Sequence, residues 1–394
     1  MTDPNADVQA EASFDLDGVR DQFPLLQHAT YLNSCSYGLL SKAVDSAFQE
    51  YLAARHQKGA HWGLWVDKMV QTRLALSQLL QCAPEDVSLS SSLSDSVNSL
   101  ASALDFSGQR NKVVVTDFDF STTSHIWLAQ QRRGAQVVRA QTDASGVNIP
   151  LEQFDALIDE QTKIVSIPII CYRTGASLDA RAVVKLAHER GALVFVDGYS
   201  VMGTAPISAP ELGADFIAGG CLKFLLGTSG LGYMYVRNSE SQALTPTATG
   251  WFAQENPFAM DNQCHQPASN ARRFESGTPS VSAMYACTAG IQLLLDASLA
   301  AVERQIGRLA EQIVTGVQGR GWRLVTPPSP DRHSSILAVA SNDAAGLVQK
   351  LEQDQVYVSN REGNIRIAPH YYNSDEDIDI LFRSLERNAG LLET

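Results

Sequence analysis

The chain has 394 residues, 44% of them apolar, and its 30 Lys and Arg face 43 Asp and Glu for a formal net charge of −13. That length can bury one large core and a smaller one, and the apolar content excludes an intrinsically disordered chain. The negative balance, with no basic patch to offset it, excludes nonspecific attraction to nucleic acid or an anionic bilayer, so neither is expected as a partner.

The N-terminus, MTDPNADVQAEASFD, is acidic and polar where a signal peptide is basic and then apolar, and no apolar run approaches the roughly 20 residues of a membrane span. A cytoplasmic location is expected. Residues 1–30 read as an N-terminal arm, followed by a short extended piece and a Ser/Gly loop in YLNSCSYG at 31–38. From Ser41 to Leu80 apolar side chains recur three and four apart, the helical period.

Short strands then alternate with helices. VSLS at 87–90, KVVVT at 112–116, KIVSIPII at 163–170, ALVFVD at 192–197, DFIAGG at 215–220 and GYMYVR at 232–237 are strand candidates. Several are apolar on both faces, and LDARAVVKLAHERG at 178–191 is helical between them. An α/β fold follows, with a mostly parallel sheet covered by helices on both sides. Residues 31–265 are assigned to this large domain. Residues 266–394 are assigned to a connecting helix and a smaller α+β domain, built from RHSSILAVA, AAGLVQKLEQD, VYVSN, NIRIAP and a last helix from Asp375. The six cysteines, at 35, 82, 171, 221, 264 and 287, lack the close pairs of a zinc site or the density of a disulfide scaffold. Reduced thiols and no metal centre are expected.

Asp197 ends a strongly apolar strand, where open α/β sheets place ligand-contacting residues, and Lys223 follows 26 residues later before a Gly-rich turn. A pyridoxal 5'-phosphate (PLP) enzyme needs such a pair, because lysine forms the imine while a buried carboxylate keeps the pyridine nitrogen protonated. Spacing alone leaves open a turn-capping Asp and a lysine that snorkels at a strand end. SLSSSLSDSVNSLASAL at 88–104 reads as strand, serine-rich turn and helix, whose first N–H groups suit a phosphate or simply cap the helix.

DGYS at 197–200 and GGCLKFLLGTSGLG at 219–232 together resemble the class V aminotransferase family of PLP enzymes, with the aspartate-aminotransferase (fold type I) architecture. The resemblance covers roughly residues 30–385. It implies that Lys223 carries the cofactor as a Schiff base and that Asp197 faces the pyridine nitrogen. Ser200 falls where many relatives use glutamine against the ring hydroxyl, and Leu222 replaces a histidine. Leu93, Ser94 and Asn98 fall on the family's phosphate turn, and TDFDFSTTSHIW at 116–127 falls on its stacking loop, with Phe120 or Ser121 over the ring and His125 beside it. In PIICYRTG at 168–175, Tyr172 stands in place of an asparagine and Thr174 remains.

RRFESGTPSV at 272–281 is similar to the segment whose Gly277 and Thr278 reach the other subunit's phosphate, which implies a homodimer with shared active sites. GNIRIAPHYYNSDEDIDIL at 363–381 resembles the segment whose arginine, here Arg366, clamps the substrate α-carboxylate; Asn33, Ser36 and Tyr37 are expected to close over it. The expected substrate is a small carboxylated α-amino acid activated as an external aldimine. A cysteine desulfurase needs a nucleophilic cysteine in its C-terminal domain, and no cysteine follows Cys287. GWFAQENPF at 250–258 resembles the kynureninase-like branch, which favours C–C or C–S cleavage, with transamination or epimerisation as alternatives.

Overall fold

In the computed structural model, which describes residues 15–394, the alternating apolar runs become strands of one seven-stranded sheet. The strands of the molecule are β1 (Thr30–Tyr31), β2 (Val87–Ser90), β3 (Lys112–Thr116), β4 (Gln136–Ala140), β5 (Thr162–Pro168), β6 (Leu193–Asp197), β7 (Phe216–Gly220), β8 (Gly232–Val236), β9 (Leu337–Ala340), β10 (Val356–Tyr357), β11 (Ser359–Arg361) and β12 (Asn364–Ile367). The large sheet runs β2-β8-β7-β6-β5-β3-β4; β4, β3, β5, β6 and β7 are parallel, and β8 and β2 are antiparallel to their neighbours.

Period-two alternation explains why both faces are apolar. Val114, Val194, Val196, Ile217 and Tyr233 enter one core, while Val113, Val115, Phe195, Phe216 and Met234 enter the core on the opposite face. β4 was not among the expected strands. It is an edge strand whose Gln136 is exposed and whose Val137, Val138 and Arg139 are only half-buried, so its sequence lacks the apolar signal of the central strands.

The single helical region expected over 41–80 is two helices, Lys42–Lys58 and Trp62–Leu80. The Ser41 side chain caps the first, and Gly59 ends it with φ +67°, a left-handed conformation that glycine adopts without a Cβ penalty. Helix Val281–Ala297 packs across both. Helix Leu299–Gly319 joins the two halves of the molecule: Val302 and Ile306 belong to the large core, and Leu309, Ile313 and Val317 to the smaller one.

The smaller core is closed by the sheet β11-β12-β9, whose Ile365, Ile367, Leu337 and Val339 meet the helices Ala344–Gln353 and Asp375–Arg387. VYVSN, read as one strand, splits at Val358: β10 pairs with β1 in a separate two-stranded sheet, and β11 pairs with β12. The parallel β1–β10 pairing and the Asn33–Ala368 bridge carry the N-terminal loop onto the small sheet. Residues 1–14 of the expected N-terminal arm lie outside the described residues; the remainder forms the helix Leu16–Asp21 and a turn at Pro24–Gln27. No single helix among the described residues is long and apolar enough to cross a membrane.

Candidate active site

A cavity of about 280 Å³ opens at the C-terminal edge of the large sheet, lined in part by Pro168, Asp197, Tyr199 and Lys223. Pro168 and Asp197 end neighbouring parallel strands, and Lys223 follows β7, so the sheet's own topology brings these side chains together. A larger hollow of about 630 Å³ lies between helices Leu299–Gly319 and Asp375–Arg387, but it has no lysine and is open to solvent.

Lys223 Nζ makes no hydrogen bond among the described residues; it lies 4.4 Å from the Tyr199 ring centroid and 5.7 Å from that of Phe120. Burial lowers its pKa, against the opposing pull of Cys35 and Asp197. An amine that sheds its proton readily is the form that forms an imine or accepts a proton. Asp197 is 8% exposed, and burial raises its pKa, offset by the Tyr199 N–H and Lys223. Tyr199 N donates to Oδ1 at 2.9 Å, the one hydrogen bond to this carboxylate among the described residues, so Oδ2 is free to take a ring N–H.

The backbone around the lysine is held from two sides. Gly38 N donates to Leu222 O at 2.8 Å, and a Cβ at position 38 would strike the Lys223 carbonyl. The buried His370 stands 3.0 Å from Phe224 O through Nε2; its Nδ1 accepts from Tyr371 N at 2.8 Å, so the network assigns the proton to Nε2. Leu226, at φ +57° and fully buried, closes the turn through its N–H to Lys223 O at 3.0 Å. A bulky residue held in the left-handed region is a mark of a constrained functional loop.

At the far end, the eleven-residue helix Leu93–Ala103 directs its first turn at the cavity, with Ser92, Leu93 and Ser94 on the lining. Gly232 permits this: any Cβ there would collide with the Ser92–Leu93 backbone. Orphan N–H groups at a helix start favour a phosphate.

The substrate end is assembled differently. Arg366 is 2% exposed; Nη1 donates to Tyr172 O at 2.6 Å, Nη2 to Ser36 Oγ at 3.3 Å and to Ser359 Oγ at 3.1 Å, and Nε has no partner among the described residues. All its acceptors are neutral and no carboxylate pairs with it among the described residues, so a buried positive charge without a counter-ion stands against the backbone of the lining residue Tyr172 while Arg366 itself stays off the cavity wall. Tyr37 Oη meets Thr228 Oγ1 and accepts from Ser229 N, both at 3.0 Å, tying the N-terminal loop to the turn after Lys223.

The family profile "Aminotransferase class-V" matches residues 38–381. This chain belongs to that family. A Bacillus subtilis protein named "Uncharacterized aminotransferase YcbU" is 32% identical over 91% of this chain and 94% of its own length. The kynureninase of Geobacillus thermodenitrificans is 23% identical, covering 91% of this chain and 88% of itself. Among solved structures, the cysteine desulfurase CsdA of Escherichia coli superposes with a TM-score of 0.85 at 22% identity, over 96% of this chain and 99% of the other. The fold is that of the PLP-dependent type I enzymes, and PLP is the cofactor of this class V enzyme.

The residues fit that group: a free buried amine, a carboxylate oxygen without a partner and a helix start share one cavity. Of the positions expected to hold it, Leu93, Ser94, Phe120, Tyr172, Asp197, Ser200 and Lys223 line the cavity. Asn98, Ser121, His125 and Thr174 do not. Ser121 and His125 are one helical turn apart on the exposed face of Ser121–Ala129, and Thr122 lines the cavity instead. Asn98 is exposed and donates to Ser94 O, and Thr174 Oγ1 accepts from Ala176 N while its carbonyl receives the Thr326 hydroxyl. Gly277 and Thr278 are exposed and off the cavity, behind Glu275, which pairs with Arg73 and accepts from Leu89 N. Asn33, Ser36, Tyr37 and Arg366 also stay off the lining, and Asn33 holds the N-terminal turn through its carbonyl to Ser36 N and Tyr37 N. Tyr199 was not singled out from sequence; its place two residues after the strand-ending Asp197 is the signal that could have found it.

Proposed function

We propose that this class V enzyme cleaves a bond at the β-carbon of a small α-amino acid, a C–C or C–S bond, and that the unpaired buried guanidinium of Arg366 holds the substrate's α-carboxylate. PLP, when bound, supplies an electron sink for charge developing at the α-carbon and beyond. Asp197 Oδ2 would face the ring nitrogen and keep it protonated, and the first turn of Leu93–Ala103 would receive the phosphate. Lys223, its pKa lowered by burial, would take the α-proton, and Phe120 and Tyr172, edge to face at 5.0 Å, would bound the space over the ring.

The Arg366 geometry carries this reading, because a neutral-only set of partners around a buried cation calls for an anionic ligand. The cleavage reading draws on the named activity of the kynureninase relative, and the absence of cysteines after Cys287 speaks against the desulfurase route. Transamination is the second reading, favoured by the name of the relative at 32% identity. The same reading makes the active unit a homodimer, in which the exposed Gly277 and Thr278 of one copy complete the phosphate site of the other.

An amino-acid panel followed by absorbance and product mass separates the two reactions. Pyruvate or alanine released without a keto-acid acceptor supports cleavage. Conversion of the cofactor to its pyridoxamine form, reversed by a keto acid, overturns it in favour of transamination.

A further inference from the structure

The β11–β12 register places Ser359 opposite Arg366 and Arg361 opposite Asn364. Positions 359, 361, 364 and 366 therefore share one face of the small sheet, since directly paired residues point the same way and successive alternate residues repeat it. The other face, with Ile365 and Ile367, is buried in the smaller core. Ser359 confirms the direction, because its hydroxyl accepts from Arg366 Nη2 at 3.1 Å.

Arg361 stands two residues along β11 from Ser359, roughly 6–7 Å of strand. It is exposed, its guanidinium donates only to Asn360 O at 2.8 Å, and no carboxylate pairs with it among the described residues. The adjacent acid, Glu362, is committed to Arg173 at 3.1 Å. After burial and the opposing pull of Cys35, Arg361 is the next charge felt at Arg366, and it also reaches Lys223. An α-carboxylate on Arg366 leaves this second cation uncompensated on the same sheet face.

Resting on the reading of Arg366 as the α-carboxylate clamp, we propose that Arg361 binds a second anionic group, so that the preferred substrates are α-amino acids with a carboxylate side chain. Arg361 and Arg366 stand diagonally on neighbouring strands of one sheet face, so a ligand carrying two acidic groups can engage both. Arg361 acts in this as a specificity-determining residue, and Arg366 as the common anchor.

The test is a spectrophotometric titration of the PLP-loaded protein with L-aspartate, L-asparagine, L-glutamate and L-glutamine. The expected result is tighter binding of an acid than of its amide by at least about tenfold, the scale of one charge-assisted hydrogen bond. Arg361→Gln removes that ratio, Arg361→Lys retains part of it and Arg361→Glu reverses it; at an exposed position all three keep the fold. Equal affinity for acid and amide, or a ratio unchanged in Arg361→Gln, overturns this inference while leaving the Arg366 clamp in place. No spectral response to any of the four overturns both.

Discussion

The lysine side of the site takes Asp197, Tyr199 and Lys223 from two adjacent strand ends of one sheet, whereas the cluster around Arg366 takes Ser36, Tyr172 and the paired Ser359 and Arg366 from three separated stretches of chain. The first is fixed by the register of parallel strands buried on both faces. The second exists only when the N-terminal loop, the large sheet and the small sheet are docked together. The lysine cluster therefore sits on a sheet buried on both faces, and the Arg366 cluster sits on a seam between docked segments.

The two sides can be broken separately. Lys223→Ala removes the imine-forming amine and the base together, and turnover is expected to fall by at least about a thousandfold. Steady-state rates check this, and a variant within tenfold of the parent contradicts it. Arg366→Ala strikes the other side: carboxylated amino acids should lose roughly 1.5–3 kcal/mol, or about 10- to 150-fold in kcat/KM. The corresponding simple amine, which lacks the carboxylate, should lose far less, and equal losses for both would show that Arg366 serves only the fold.

Two buried groups sharpen the comparison through pH. Asp119, in the loop before Phe120, is pushed up to about 7, first by burial, and His370, on the C-terminal segment against Phe224, is lowered to about 4, also first by burial. Between about pH 4 and 7 the native Asp119 keeps a proton that the unfolded chain has lost, so its contribution to stability falls as pH rises. Between about pH 4 and 6.5 the unfolded His370 holds a proton that the native ring refuses, so its contribution rises with pH. In the parent the two slopes oppose each other. Asp119→Asn should expose a rise in stability with pH, and His370→Asn a fall, each up to about 1.4 kcal/mol per unit. Denaturant midpoints across that range report the slopes, and identical slopes in both variants would remove these residues from the account. The smallest effect is expected from Tyr37→Phe, which deletes the two 3.0 Å contacts of its hydroxyl and should cost about 0.5–1.5 kcal/mol of stability, read as a lower denaturation midpoint.

The same contrast explains what could be read from the sequence. Asp197 and Lys223 are legible because each lies at the end of a short apolar run with turn residues after it, a local signal, and the family motif then fixes their meaning. The central strands were legible for the same reason, and the half-exposed edge strand Gln136–Ala140 was not. Thr122 was hidden behind Ser121 and His125, because helix phase, unlike helix presence, depends on which face the tertiary packing buries. Tyr199 looked like an ordinary turn residue, and only the fold brings its ring against Lys223. Arg366 was singled out through its motif, but its neutral-only partners, and Arg361 on the same sheet face, belong to a docking of distant segments that no local pattern encodes.

The central claim is that Lys223 is the residue that binds the cofactor covalently. Borohydride reduction of the PLP-loaded protein, followed by digestion and peptide mass mapping, tests it directly. The account expects the reduced cofactor on the peptide containing Lys223, and its loss in Lys223→Ala. A label on another lysine, or a borohydride-trapped protein–cofactor bond that persists in Lys223→Ala, would contradict it.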